Sequence, residues 1–309
     1  MRRAIHALVA SAVLGLGITQ AWAVELAAEQ VLRKGNGAEP QTLDPHKAEG
    51  VPSSNILRDL YEGLTGEAPN GDIIPGAAES WTISEDGLTM TFKIKPDATF
   101  WDGRKVTAAD VKWSFDRAVS VGGFPTTQMK AGGLERPDQF EALDDGTFVV
   151  KLDRPSKLSL PDLAVPVPFI INSKLALEHA TDTDPWATEY LHQNTIGSGA
   201  YKVIRWDNGQ QLVYERFDGW VGGPLPAAQR VIRREVPSSA TQRALVERGD
   251  VQIAFDIPDK DAAELAGTLA VDSTPVANCL HALCLNTNFE PFTDPNVRKA
   301  IAYAVPYED

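Results

Sequence analysis

From residue 53 onward the hydrophobic period of this chain keeps switching between the helical and the extended spacing, and that alternation restricts its fold more than any single motif. Ile56, Leu57, Leu60, Tyr61 and Leu64 recur at three- and four-residue intervals, the stripe of an amphipathic helix that Ser53 or Ser54 can cap and Gly63 can end. Met90, Phe92 and Ile94 then alternate within GLTMTFKIKPDATFWDG, as in a half-buried strand, before a turn at Asp102-Gly103. TAADVKWSFDRAV returns to the helical period, with a capping box of Thr107 and Asp110 ahead of Val111, Phe115 and Ala118. Residues 120–146, rich in Gly, Pro and charge, read as loop, and TFVVKLDRP as a strand closed by Pro155. DPWATEYLHQ predicts a short helix capped by Asp184, with Pro185 in its first turn. GAYKVIRWDNGQQLVYER is a hairpin around Asp207-Asn208-Gly209. SSATQRALVERGDVQIAF gives a helix, a stop at Gly249, and a strand with Val251, Ile253 and Phe255 on one face. Residues 276–286 read as a further strand, and TDPNVRKAIAYAV as a helix capped by Asp294. With no repeat and no low-complexity tract, the fold class is α/β with short connections.

The N-terminus carries an export pattern. Arg2 and Arg3 precede an apolar run from Ala7 to Ile18, and Ala21-Trp22-Ala23 fits a small-x-small cleavage site, so cleavage is expected after Ala23. The alternative is a first core helix. No cysteine lies near that point, which argues against a lipoprotein and for a freely soluble protein of a Gram-negative periplasm. After the first 25 residues nothing approaches the roughly 18 apolar residues of a membrane span. The 29 basic residues face 42 acidic ones, a net charge of −13, and removing the leader deletes two arginines and no acid. Nucleic acid and anionic lipid are thereby disfavoured as partners, because both demand a basic patch. The two cysteines, Cys279 and Cys284, would point to opposite faces of the expected strand about 16 Å apart, too far to pair with each other.

No catalytic constellation stands out. His46, His179, His192 and His281 are scattered singly, without metal-ligand spacing, and GSGAY at 197–201 lacks both the nucleophile-elbow pattern and a P-loop lysine. It reads as a tight turn into the hairpin. Trp81, Trp101, Trp113, Trp186, Trp206 and Trp220 lie mostly in periodic segments, where core or sheet-face roles are expected. Neither enzyme chemistry nor a metal or other cofactor is expected. One stretch is unusual: Ala48-Glu49-Gly50-Val51-Pro52, an expected extended strip, bare at the glycine, because Pro52 biases Val51 away from the helical region.

RKGNGAEPQTLDPHKAEGVPSSNILRDLYEGL resembles the start of the periplasmic oligopeptide-binding proteins, the family 5 extracellular solute-binding receptors of peptide-type ABC importers. The resemblance continues in order through IIPGAAESWTISEDG, TFKIKPDATFWDGRKVTAADVKWSFDRAV, GSGAYKVIRWDNGQQLVYER and VERGDVQIAF to LNTNFEPFTDPNVRKAIAYAV. It implies a periplasmic binding protein type II-like bilobal clamshell with an extra subdomain. Residues 24–64 and 166–285 would form lobe I, 65–165 the subdomain, and 286–309 the start of a second lobe that is otherwise missing. The strip at Glu49, Gly50 and Val51 would line the cleft and hydrogen-bond a ligand's main chain; Phe255 and Asp256 complete the implied ligand-binding set. In the oligopeptide branch a cysteine at the place of Cys279 pairs with one late in lobe II, leaving Cys284 as an expected core residue. The implied partners are a peptide ligand and the permease subunits of the inner membrane, with the protein itself a monomer. The alternatives are a same-fold receptor for a nickel chelate, haem, an opine or an oligosaccharide, or a non-binding truncated remnant.

Overall fold

The computed structural model describes residues 31–306, apart from 69, 158, 166 and 273–281. The expected leader, Cys279, His281 and part of the 276–286 strand lie outside the described residues. The chain divides into two units, Met1–Asp261 and Ala262–Asp309.

In chain order the first unit holds β1 (Val31–Asn36), α1 (Gly50–Leu60), β2 (Thr65–Glu67), β3 (Ile73–Pro75), β4 (Ala78–Ile83) and β5 (Thr89–Ile94). Then come α2 (Ala108–Ser120), α3 (Phe124–Ala131), β6 (Phe140–Asp144), β7 (Thr147–Lys151), α4 (Ser159–Asp162), α5 (Ser173–Glu178) and α6 (Thr188–Gln193). It continues with β8 (Tyr201–Asp207), β9 (Gln211–Arg216), β10 (Arg230–Glu235), α7 (Ser239–Glu247) and β11 (Ile253–Ala254).

One sheet is antiparallel, in the order β4-β5-β7-β6. Its β5 alternates as expected: Met90, Phe92 and Ile94 are buried against α2, whose Val111, Phe115 and Ala118 are fully covered. Phe115 meets Phe140 and Phe148 edge-on, at centroid distances of 5.3 and 5.1 Å. The expected capping box starts α2: the Asp110 N–H and Thr107 N–H each bond the other residue's side chain. Residues 120–146 are not the loop that their Gly and Pro content suggests. They hold α3 and β6, because Gly123 and Pro125 open a helix and the Phe140 side chain completes the aromatic core.

The second sheet is mixed, in the order β11-β1-β10-β9-β8. β1 runs parallel to both β10 and β11, while β10, β9 and β8 are antiparallel. The β8–β9 hairpin turns at Gly209, whose φ of +73° suits a residue without a Cβ. The apolar stripe of α1 packs on this sheet: Ile56, Leu57 and Leu60 meet a cluster containing Leu212, Tyr214 and Val231. All five residues of the expected stripe are buried, yet α1 ends at Leu60, and Tyr61 is already extended. Gly197 and Gly199 explain that early stop and correct the reading of GSGAY as merely a turn. Gly199 N–H bonds the Leu60 carbonyl at 3.2 Å, and a Cβ at either glycine would collide with the backbone there. Asp184 is not the immediate cap of α6, which begins after Ala187, although its carboxylate still accepts the Glu189 N–H at 2.9 Å.

The strand expected over 251–255 is shortened to Ile253–Ala254, where pairing with β1 stops. α8 (Asp259–Leu265) crosses the division, and the second unit contains α9 (Pro295–Ala304), capped by the Asp294 carboxylate on the Asn296 N–H at 2.8 Å. Residues 282–286 form no strand, contrary to their alternation, because no neighbouring strand takes their backbone groups among the described residues. Cys284 is exposed rather than a core residue.

Candidate functional site

Asp44 begins the approach to the Glu49–Val51 strip. Its carboxylate pairs with Arg117 of α2 through two contacts of 2.7 and 2.5 Å, with both side chains fully covered. A buried pair of this kind is costly to desolvate, and it holds only because its remaining valences are met. Here Asp44 also accepts the His46 N–H at 2.9 Å, and Arg117 donates to the Trp186 carbonyl. His46 is wholly buried and its Nε2–H donates to the Phe169 carbonyl at 3.0 Å. Burial, then the Arg117 charge, lowers its pKa from 6.5 to about 3. Lys47 Nζ donates to the Val121 carbonyl at 3.0 Å. The segment leading to residue 49 is thus pinned to α2.

The strip itself differs from the extended stretch expected over 48–52. Glu49 is extended, with φ −128° and ψ 148°, but Gly50 is left-handed at φ +77° and the helix already begins there. Pro52 sits in the first turn, where a missing N–H costs nothing, so it does not hold the preceding residues extended. No side chain caps α1. Glu49 and Gly50 are exposed. The arrangement offers one extended residue followed by an uncapped helix start, whose N–H groups have no partner within the helix.

Phe255 and Asp256 lie elsewhere, at the carboxyl ends of the parallel strands, where open α/β sheets place their ligands. Here β1, β10 and β11 release the chain side by side. Val236 N–H donates to the Asn36 carbonyl at 2.7 Å, and Gly37 N–H to Asp256 Oδ2 at 2.6 Å. Phe255 is 53% exposed, with Lys34 Nζ 5.8 Å from its ring centre, a cation–π geometry. Asp59 of α1 is pushed up by burial, an effect opposed by the Lys34 and Arg233 charges. Among the described residues no hydrogen bond joins this edge to the 49–51 strip. Sequence reasoning missed Lys34, Gly37 and Gln242; the last was detectable only as a polar residue one turn before the apolar Leu245 and Val246. No group of three or more His, Cys, Asp or Glu side chains that could hold a metal occurs among the described residues.

A family model described as "Bacterial extracellular solute-binding proteins, family 5 Middle" matches residues 72–309. The chain belongs to this family. Its members bind solutes, and relatives with assigned ligands span several kinds. The chain is 30% identical over 273 residues to the glutathione-binding protein GsiB of Pectobacterium atrosepticum, covering 87% of this chain and 50% of that one. It is 31% identical over 281 residues to an Escherichia coli protein named "Probable D,D-dipeptide-binding periplasmic protein DdpA", covering 89% and 52%. Among solved structures, Haemophilus influenzae OppA in complex with the peptide RPPGFSPFR matches with a TM-score of 0.72 at 27% identity, over 90% of this chain and 56% of that one. AgaA from A. tumefaciens R10, in complex with agropinic acid, matches with a TM-score of 0.74 at 28% identity, over 89% and 54%. The fold is therefore that of the periplasmic binding proteins, and the chain spans about half the length of the curated relatives it matches.

Proposed function

We propose that this chain is the solute-binding component of an ABC importer for peptides, acting in the periplasm after cleavage following Ala23. It captures an extended peptide, presents it to permease subunits of the inner membrane, makes or breaks no bond, and works as a monomer. The observation that carries the reading is the carboxyl edge of the parallel strands, where Phe255 and Asp256 stand beside Gly37 in a chain of this family. The Glu49–Val51 strip would supply main-chain contacts: Glu49 as a short strand-like edge, Gly50 and Val51 as N–H donors at the helix start. In this reading residues 24–64 and 166–285 are lobe I, 65–165 its extra subdomain and 286–309 the start of lobe II.

A second reading, a receptor for an opine-like solute, is favoured by the agropinic-acid-bound neighbour. Thermal unfolding with short peptides, RPPGFSPFR, glutathione and agropinic acid separates the two. A ligand at a hundred times its dissociation constant adds about 2.7 kcal/mol of stability. Peptides of unlike side chains should all raise the midpoint. A rise with agropinic acid alone would favour the second reading, and no rise with any probe would overturn both.

A further inference from the structure

Gln242 of α7 is completely buried and its amide is fully engaged at the edge just described. Its Nε2 donates to the Val236 carbonyl at 2.9 Å and approaches Asp256 Oδ2 at 3.4 Å, while its Oε1 accepts the Asp256 N–H at 3.3 Å. Asp256 Oδ2 in turn takes the Gly37 N–H. One side chain thus ties together the chain leaving β10, the chain leaving β11 and, through Asp256, the chain leaving β1. A buried amide is costly unless satisfied, so its burial demands these partners.

Phe255 lies between two fixed points. Ala254 before it is paired with Gly35 of β1, and Asp256 after it is held by Gln242 and Gly37. Its ring nevertheless stands 53% exposed instead of folding into the core. We propose that Gln242 is a positioning residue for the candidate site: through Asp256 it holds Phe255 outward as a pre-set aromatic platform for an apolar group of the ligand. The inference deepens the proposed function and rests on it for the platform's use. The clasp itself is testable without a ligand.

Amide hydrogen exchange on the full chain provides that test. In the volume-conserving variant Gln242→Met, exchange at Asp256 should rise about tenfold, as its N–H loses its acceptor, and exchange at Gly37 should rise with it as the Asp256 carboxylate is released. The β8–β9 hairpin should keep its protection. Gln242→Glu should restore part of the protection near pH 5, where a protonated carboxyl supplies one donor and the acceptor for the Asp256 N–H, and lose it near pH 8, where it faces Asp256 as a second anion. A merely space-filling role would leave protection at residues 37 and 256 intact in the volume-conserving methionine variant. Unchanged exchange at residues 37 and 256 in the methionine variant, or a loss spread equally over the hairpin, would overturn the proposal. Absence of binding in the ligand series would count against the proposed function while leaving this result standing.

Discussion

At the scale of single residues, the buried trio of Asp44, His46 and Arg117 couples stability to charge and to pH. Arg117→Ala leaves Asp44 charged, buried and without its partner, and should cost about 3–5 kcal/mol in urea unfolding. A double replacement, Asp44→Asn with Arg117→Met, should cost less than the single one, because no bare charge remains. His46 gives a pH dependence of known sign. Its pKa is 6.5 when unfolded and about 3 when folded, so the unfolded chain takes the proton first. Its contribution is complete above pH 6.5 and drains away as the pH falls toward 3. Against His46→Gln, the native protein's advantage in unfolding free energy should be level above pH 6.5 and shrink below it. Parallel curves down to pH 3 would contradict this. None of the trio's role is legible in LDPHK, since Arg117 and Phe169 lie far along the chain and only tertiary packing brings them in.

Whole elements were legible where local chemistry and packing agree. The capping box of α2, the alternation of β5 and the Asp207-Asn208-Gly209 turn are each specified by neighbours in sequence. Thr107→Ala should therefore lower stability by about 1 kcal/mol, measurable by chemical denaturation. Asp110 reinforces the same cap: burial pushes its carboxyl up, but bonds from Arg104, Ser173 and Thr107 outweigh burial and hold it below the usual range. Boundaries failed where a distant element decides them. α1 stops at Leu60 because residues 197–199 pass against its end, and β11 is two residues long because β1 pairs no further. The two kinds of glycine make the difference measurable. Gly209→Ala meets open space and strains only its own backbone, at about 1–2 kcal/mol. Gly199→Ala drives a methyl into the backbone at Leu60 and should cost distinctly more. Of the proposed site, Phe255 and Asp256 come only from the family resemblance, and the structure puts them just past β11; Gln242 acts through partners that no local pattern announces.

At the scale of the whole molecule, order is unevenly distributed. The β4-β5-β7-β6 sheet and α2 share an extensive core, while α9 has no buried residue and Tyr303 is 90% exposed. A ten-residue helix without a packed face is marginal in water. Hydrogen exchange should be slow over residues 89–151 and fast over 295–304; comparable protection in both would count against this division. The parallel pairing of β1 has a further consequence in time. Gly37 finds the Asp256 carboxylate 219 residues downstream, so the first described strand to leave the ribosome is among the last to be completed. Contacts so remote in sequence slow folding, because a long loop must close before any of them is rewarded. The sheet spanning residues 78–151, built from nearby segments, can form while β1 still waits. The edge at Gly37 therefore closes only once residue 256 has been synthesised, however early β1 itself emerges.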